Sequence, residues 1–318
     1  MNDKSVNLNN NYKIKSKEIP SDVGKSNNSK IKAERELREY FSSDNIGENS
    51  DSFVSSNKNP VKIDGMEFDY KIGKFEQGDV GDCWLLSDLK SLSKTEFGKD
   101  IIRNAISIDL ENKNVTVALP NVDKEYTFSL DEIKNRTDLS TGDYDVIVME
   151  MATEKYRKDI VSQFRQGLAE GKSVNELPKI PSHWTKGLRS AAQGGGILHS
   201  GAPGEFNQLM FDGRKKTLFL NTSGNILSKD ENGKTGLVFN INKDNFENHL
   251  DITKNPATIA FREDFGDLVA NHGYTIVDID ENTFTLINPH DSSKEIKINK
   301  KDMKGKFAQI TYLEPKND

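Results

Sequence analysis

The chain has 318 residues, 34% of them hydrophobic, with a mean hydropathy of −0.70 and a formal net charge of −6. That acidity gives no reason to expect nucleic-acid binding, and no apolar run approaches the ~20 residues of a membrane span. A single cysteine excludes an intrachain disulfide and any multi-cysteine zinc site.

The amino terminus shows no signal-peptide pattern, so we expect a soluble protein, cytoplasmic or exported by a route without a cleaved signal. Residues 1–58 are rich in Asn, Ser, Lys and Asp and too poor in large apolar side chains to offset their ordering entropy. They read as a disordered or propeptide-like tail able to make an inhibitory contact with the rest. Ile31, Leu37, Tyr40 and Phe41 give it one weak amphipathic helix. Apolar density rises at Val61, and residues 63–68 suit a short strand or turn. Next comes Gln77-Gly78-Asp79-Val80-Gly81-Asp82-Cys83-Trp84-Leu85-Leu86. Leu85, Leu89 and Leu92 recur on one helical face, which predicts a helix over 83–93 with Gly81 and Asp82 at its start. Cys83 then sits in a first helical turn, where free N–H groups and the helix dipole favour a thiolate. Gln77 lies a short glycine-bearing loop upstream, so its amide can fold back beside the sulfur and donate to an oxyanion.

Further along, 97–108 suits a second helix, and 115–119 with 126–128 suits a hairpin across Pro120-Asn121. Residues 145–156 suit a buried helix containing Glu150, and the polar stretch 157–192 an inserted helix and loop. Gly194, Gly195 and Gly204 would let an extended peptide approach the backbone closely. Past Arg214, strands are expected at 217–221, 237–240 and 258–262, with a helix at 244–250. Runs 274–279 and 283–287 flank Asp280-Glu281-Asn282, a hairpin-turn composition, and Ile296, Ile298, Ile310 and Tyr312 mark closing strands. Antiparallel pairing sets residue 274 opposite 288. His272 and Asn288 therefore emerge at the same end, where a carboxamide can orient an imidazole. His183, His199, His249 and His290 have no such partner in the sequence and read as structural or surface residues.

The segment from Gln77 to Leu86 closely resembles the active-site segment of the calpain family of papain-fold cysteine proteases. Asn271-His272-Gly273-Tyr274 resembles that family's His-Ala-Tyr, and Leu286-Ile287-Asn288-Pro289 its Asn-Pro. Gln193-Gly194-Gly195-Gly196 resembles its Ser-Gly-Gly turn, and Gly201 to Gly213 the segment that closes the first lobe. The resemblance runs from about Ile63 to Leu313. It implies an α+β, papain-like two-lobed protease core, with a helical lobe over 59–213 and a β-rich lobe over 214–318. It also implies Cys83 as nucleophile, His272 as base and acid, and Asn288 as orienter of the ring. Gln77 and the Cys83 N–H would form the oxyanion hole, and Gly194, Gly195 and Gly204 would bind substrate backbone. The activity implied is endopeptidase cleavage of a protein or peptide. The alternative is a secreted effector or toxin that uses the same triad for deamidation or acyl transfer. The intact triad argues against a non-catalytic binding module.

The sequence departs from the family where calcium is concerned. Family cores bind Ca²⁺ through carboxylates, one of them three residues before the oxyanion glutamine. Lys74 stands there instead, and Lys294, Lys297, Lys300 and Lys301 occupy the region of the second site. Ammonium groups repel hard cations. We therefore expect no cofactor and no need for calcium, with Lys74 paired to Glu150 where an ion would have bridged; Asp69, Glu76, Asp79 and Glu150 leave some other calcium site open. His290 and Asp291 also replace the family's Trp-Gly, so the His272–Asn288 contact is expected to be wetter.

Overall fold

A computed structural model describes residues 58–316 except 222, 224, 230–234, 241–249, 304, 305 and 307. The amino-terminal tail and nearly all of the helix expected at 244–250 lie outside the described residues. Asp64 and Gly65, both at positive φ, make the tight turn between β1 (Val61–Ile63) and β2 (Met66–Phe68). Helix α1 (Cys83–Leu92) buries Leu85, Leu86, Leu89 and Leu92 completely. The Thr95 hydroxyl caps α2 (Glu96–Ala105) by accepting the Gly98 N–H. That helix stops short of its expected end because Ile106 enters β3 (Ile106–Asp109) and pairs with Val117. The expected hairpin forms β4 (Asn114–Leu119) and β5 (Lys124–Ser129), joined by a 3₁₀ turn at Pro120–Val122. The predominantly helical first region thus also holds a three-stranded antiparallel sheet.

Ser129 and Glu132 close a capping box on the short α3 (Leu130–Lys134). Asp143 then caps α4 (Tyr144–Ala169), which runs well past its expected end, so the apparent insertion begins as the last turns of this helix. It continues through α5 (Thr185–Ala192) before α6 (Glu205–Met210).

The second region is antiparallel β. Its strands are β6 (Gly213–Leu220), β7 (Asn225–Lys229), β8 (Thr235–Asn240), β9 (Ala257–Phe261), β10 (Gly273–Ile279), β11 (Thr283–Asn288), β12 (Asp291–Asn299) and β13 (Ala308–Pro315). Among the described residues they form one eight-stranded sheet in the order β12-β11-β10-β9-β13-β6-β7-β8. Thr275 pairs with Ile287 and Ile276 with Leu286, which is the register expected at that end of the hairpin. A bulge between Ile276 and Asp278 absorbs the extra turn residue. β7 escaped the sequence reading because Asn-Ile-Leu-Ser-Lys is short and lacks a clean alternation.

Two large hydrophobic cores result, one from Met66 to Met210 and one from Leu218 to Tyr312, with a small third cluster of Val161, Trp184 and Ile197, all within the one compact unit of mixed α and β structure that begins at Ser56. The two large cores meet along α1. A side chain on Gly273 of β10 would come within 2.9 Å of Ser87 Oγ and 3.3 Å of the Cys83 carbonyl, so a larger residue there would have to turn the Ser87 hydroxyl aside or ease the strand off the helix. Thr275 Oγ1 donates to the Ser87 carbonyl at 2.8 Å. Among the described residues no helix is long and apolar enough to cross a membrane.

Candidate active site

The close packing of β10 on α1 brings Cys83 and His272 to one cleft. Both line a cavity of about 490 Å³ with Gln77, between Ser200, Gly201 and Pro203 on one wall and Ala260 and Phe261 on the other. His272 Nε2 lies 2.8 Å from Asn288 Oδ1. An amide oxygen only accepts, so Nε2 carries the proton and Nδ1 keeps its lone pair. The same Oδ1 accepts the His290 N–H at 3.0 Å, which fixes the carboxamide. Tyr274 stands edge-on to the imidazole at 4.9 Å and His290 leans over it at 4.4 Å. His272 is only 7% exposed, so the histidine in the family's tryptophan position leaves the contact well shielded.

Cys83 sits half-buried at the start of α1, and the Gly273 N–H donates to its sulfur. Burial pushes the thiol up, and neighbouring Asp82 adds to this, against the pull of the Gly273 and Trp84 N–H groups. The expected helix-driven thiolate is therefore outweighed. Burial also pushes His272 down, Asn288 raises it and His290 lowers it again. The resting pair is a neutral thiol and a neutral imidazole. No hydrogen bond joins them among the described residues.

Gln77 is tied to the asparagine side of the site, its N–H donating to the Pro289 carbonyl at 3.0 Å. Ser292 reinforces that tie, with its N–H on the Phe75 carbonyl and its hydroxyl accepting the Phe75 N–H. The Gln77 carboxamide lines the cleft, but its Nε2 donates to the Val80 carbonyl at 2.8 Å and to Asp82 Oδ1 at 3.1 Å. An oxyanion would have to take over one of these donors.

Asp82 does not cap α1 with its side chain. The carboxyl turns inward, fully buried, against Glu150 of α4, which is equally buried and accepts from the Ser140 N–H and hydroxyl. Burial pushes Asp82 up to about 6 and Glu150 well above the ordinary carboxylate range. Two carboxyls in hydrogen-bond contact must hold a proton between them, and Glu150 keeps it. The expected Lys74–Glu150 pair is absent because Lys74 is exposed while Glu150 lies in the core. These two positions therefore do not fit a calcium site. Among the described residues, no group of three or more His, Cys, Asp or Glu side chains is placed to hold a metal.

Gly194, Gly195 and Gly204 are not brought to the cleft. Gly194 and Gly195 end α5 and line a separate hollow with Asp79, Arg136 and Asp138. Gly204 begins α6, where its N–H donates to buried Asp88 at 2.9 Å. The glycine-rich run thus lies where a helix ends. Gly201 instead lies flat against the Trp84 ring at the cleft wall.

Sequence reasoning also missed the roles of Arg157 and Glu205. The Arg157 guanidinium stacks 4.1 Å from the Trp84 ring and 4.8 Å from Trp184, and donates to the Ile197 and Ser200 carbonyls and to Glu205. Glu205 further accepts from His183, Trp184 and the Ala202 N–H. This network fastens the inserted segment to Trp84, the residue after Cys83. An arginine on the same face of α4 as Glu150, two turns on, was the available signal. His199 and His290, read as structural or surface residues, both line the cleft, while His249 lies outside the described residues. In comparison with known proteins, the chain matches no protein-family model and no curated protein.

Proposed function

We propose that this chain is a calpain-like cysteine endopeptidase of papain-like, two-lobed fold, using Cys83, His272 and Asn288. The observation that carries the reading is the imidazole held through Nε2 on Asn288, in the cleft that contains the half-buried thiol. Catalytic hydrogen bonds are often long without substrate and tighten in the complex. On substrate binding, His272 Nδ1 takes the Cys83 proton. The thiolate attacks the peptide carbonyl. Charge then developing on the carbonyl oxygen draws the Cys83 N–H and one Gln77 N–H away from its contact with Asp82. The imidazolium protonates the leaving amine, the C–N bond breaks and a thioester remains. His272 next removes a proton from water, hydroxide adds to the thioester, and the protonated ring returns its proton to the departing sulfur.

A thiol-directed alkylator should label Cys83 and abolish peptide cleavage, and Cys83→Ala should lower kcat/KM on the order of 10⁴-fold or more. Ammonia release from glutamine side chains without backbone cleavage would redirect the reading to deamidation. Cleavage that survives Cys83→Ala would end it.

A further inference from the structure

The oxyanion donor of this cleft is not free at rest. Both N–H groups of the Gln77 carboxamide are spent, on the Val80 carbonyl at 2.8 Å and on Asp82 Oδ1 at 3.1 Å. Its Oε1 is buried and has no hydrogen-bond partner among the described residues, so these two bonds orient the group. The two acceptors differ in kind. Glu150 keeps the proton of the buried carboxyl pair, so Asp82 is the anion at neutral pH and Val80 offers only a neutral carbonyl. A carboxylate binds an N–H about twice as strongly. Arg157 acts on Asp82 only through its field, because its hydrogen bonds go to Ile197, Ser200 and Glu205. The backbone on either side is fixed. The Asp82 carbonyl accepts the Leu85 and Leu86 N–H groups, and Gly78 lies so close to the Asp138 and Leu139 carbonyls that a side chain has no room. Release of the donor therefore falls to the Gln77 side chain.

Resting on the endopeptidase reading, we infer that Asp82 is a positioning residue that latches the oxyanion hole in the free enzyme, yielding the Gln77 N–H only to the negative charge that develops on the substrate carbonyl. A neutral substrate carbonyl competes poorly with a carboxylate for that N–H, whereas a tetrahedral oxyanion matches it. The donor then serves the transition state and not the bound ground state, so the strength of the latch is felt in kcat and not in KM.

Asp82→Asn keeps an acceptor of the same shape beside Gln77 and removes its charge. The Asp82 charge also opposes the Cys83 thiolate, and iodoacetamide, whose substitution forms no oxyanion, reads that share by itself. Beyond any rise in alkylation rate, kcat for peptide cleavage should rise about fivefold, with KM little changed. That excess should vanish in the Gln77→Ala background, where no donor remains to be released. Glu150→Gln, which leaves the charge on Asp82, should give no such gain. In wild type, a peptide aldehyde forming a tetrahedral adduct on Cys83 should shift a Gln77 side-chain N–H resonance. An unmoved resonance in the formed adduct, a lower kcat in folded Asp82→Asn, or an excess that survives Gln77→Ala would overturn the latch and leave the peptidase. A wild type that forms no adduct and cleaves no peptide would overturn the endopeptidase reading itself.

Discussion

The two regions that meet at the cleft solve the same positioning problem by different physics. The cysteine region buries charge: Asp82, Asp88, Lys90, Asp145, Glu150, Glu154 and Arg157 are all inside it. Among its described residues the sheet region buries hydroxyls, His272 and Lys300, and little else that ionises. In the sheet, backbone pairing alone brings His272 and Asn288 to the same end of the β10–β11 hairpin. A helix with a loop in front of it has no such ladder. The chain leading to α1 and the segment from Ser200 into α6 are therefore held by buried side chains: Asp145 accepts the Asp69 and Tyr70 N–H groups, Arg157 donates to the Ser200 carbonyl, and Asp88 accepts the Gly204 and Phe206 N–H groups. The stability of the cysteine half should thus be sensitive to pH and to loss of charge, and that of the histidine half much less so.

Arg157 gives the largest contrast. Arg157→Ala leaves Glu205 buried without its cation and removes the plate between Trp84 and Trp184, which should cost about 3–5 kcal/mol of stability. Thr275→Val, on the sheet side, removes one 2.8 Å bond to Ser87 and should cost about 1 kcal/mol. Urea melts of both variants check this, and the contrast breaks if the arginine costs no more than the threonine.

The second contrast is in pH dependence. Burial holds Asp82 at about 6, Asp88 at about 7 and Asp145 at about 8, each above its unfolded value. The folded state therefore keeps protons that the unfolded state has lost, and stability declines as pH rises from about 4 through those values. Glu150 contributes in the same direction. In Glu150→Gln the amide replaces the protonated carboxyl atom for atom, donating to Asp82 and accepting from Ser140. Melts at pH 5 and pH 8 should then show a shallower decline than wild type, with peptidase activity at neutral pH changed by less than about threefold. A large loss of activity at neutral pH would mean that Glu150 works as an anion.

What the sequence disclosed divides along the same line. The His272–Asn288 arrangement followed from counting residues about a turn, because antiparallel pairing converts sequence distance into spatial opposition, and the observed register agrees. Cys83 at a helix start followed from leucine periodicity. The environment of the thiol did not, because burial depends on residues from α4 and β10 that no local pattern couples to it. Glu150 read as a partner for Lys74 for the same reason: which face of a long, largely buried helix meets which loop is decided by tertiary packing. The three adjacent glycines were conspicuous and belong to a helix end, whereas the single Gly201 touching Trp84 carried no signal of its own.

The smallest expected effect lies on the sheet side, where ionisation should matter least. His290 covers the His272 ring at 4.4 Å, and its charge and bulk both disfavour the imidazolium. Removing it in His290→Ala admits water and takes away a like charge. Both changes raise the pKa of His272 toward the ordinary 6.5. A general base works only after losing its proton, so the acid limb of kcat/KM should move to higher pH while the plateau is retained. NMR titration of the His272 ring separates this from the ionisation of Asp82, which lies across the cleft in the other region. An unmoved or lowered His272 titration would show that Asn288 alone sets the ring's proton affinity, and that the histidine in the tryptophan's place is only a cover.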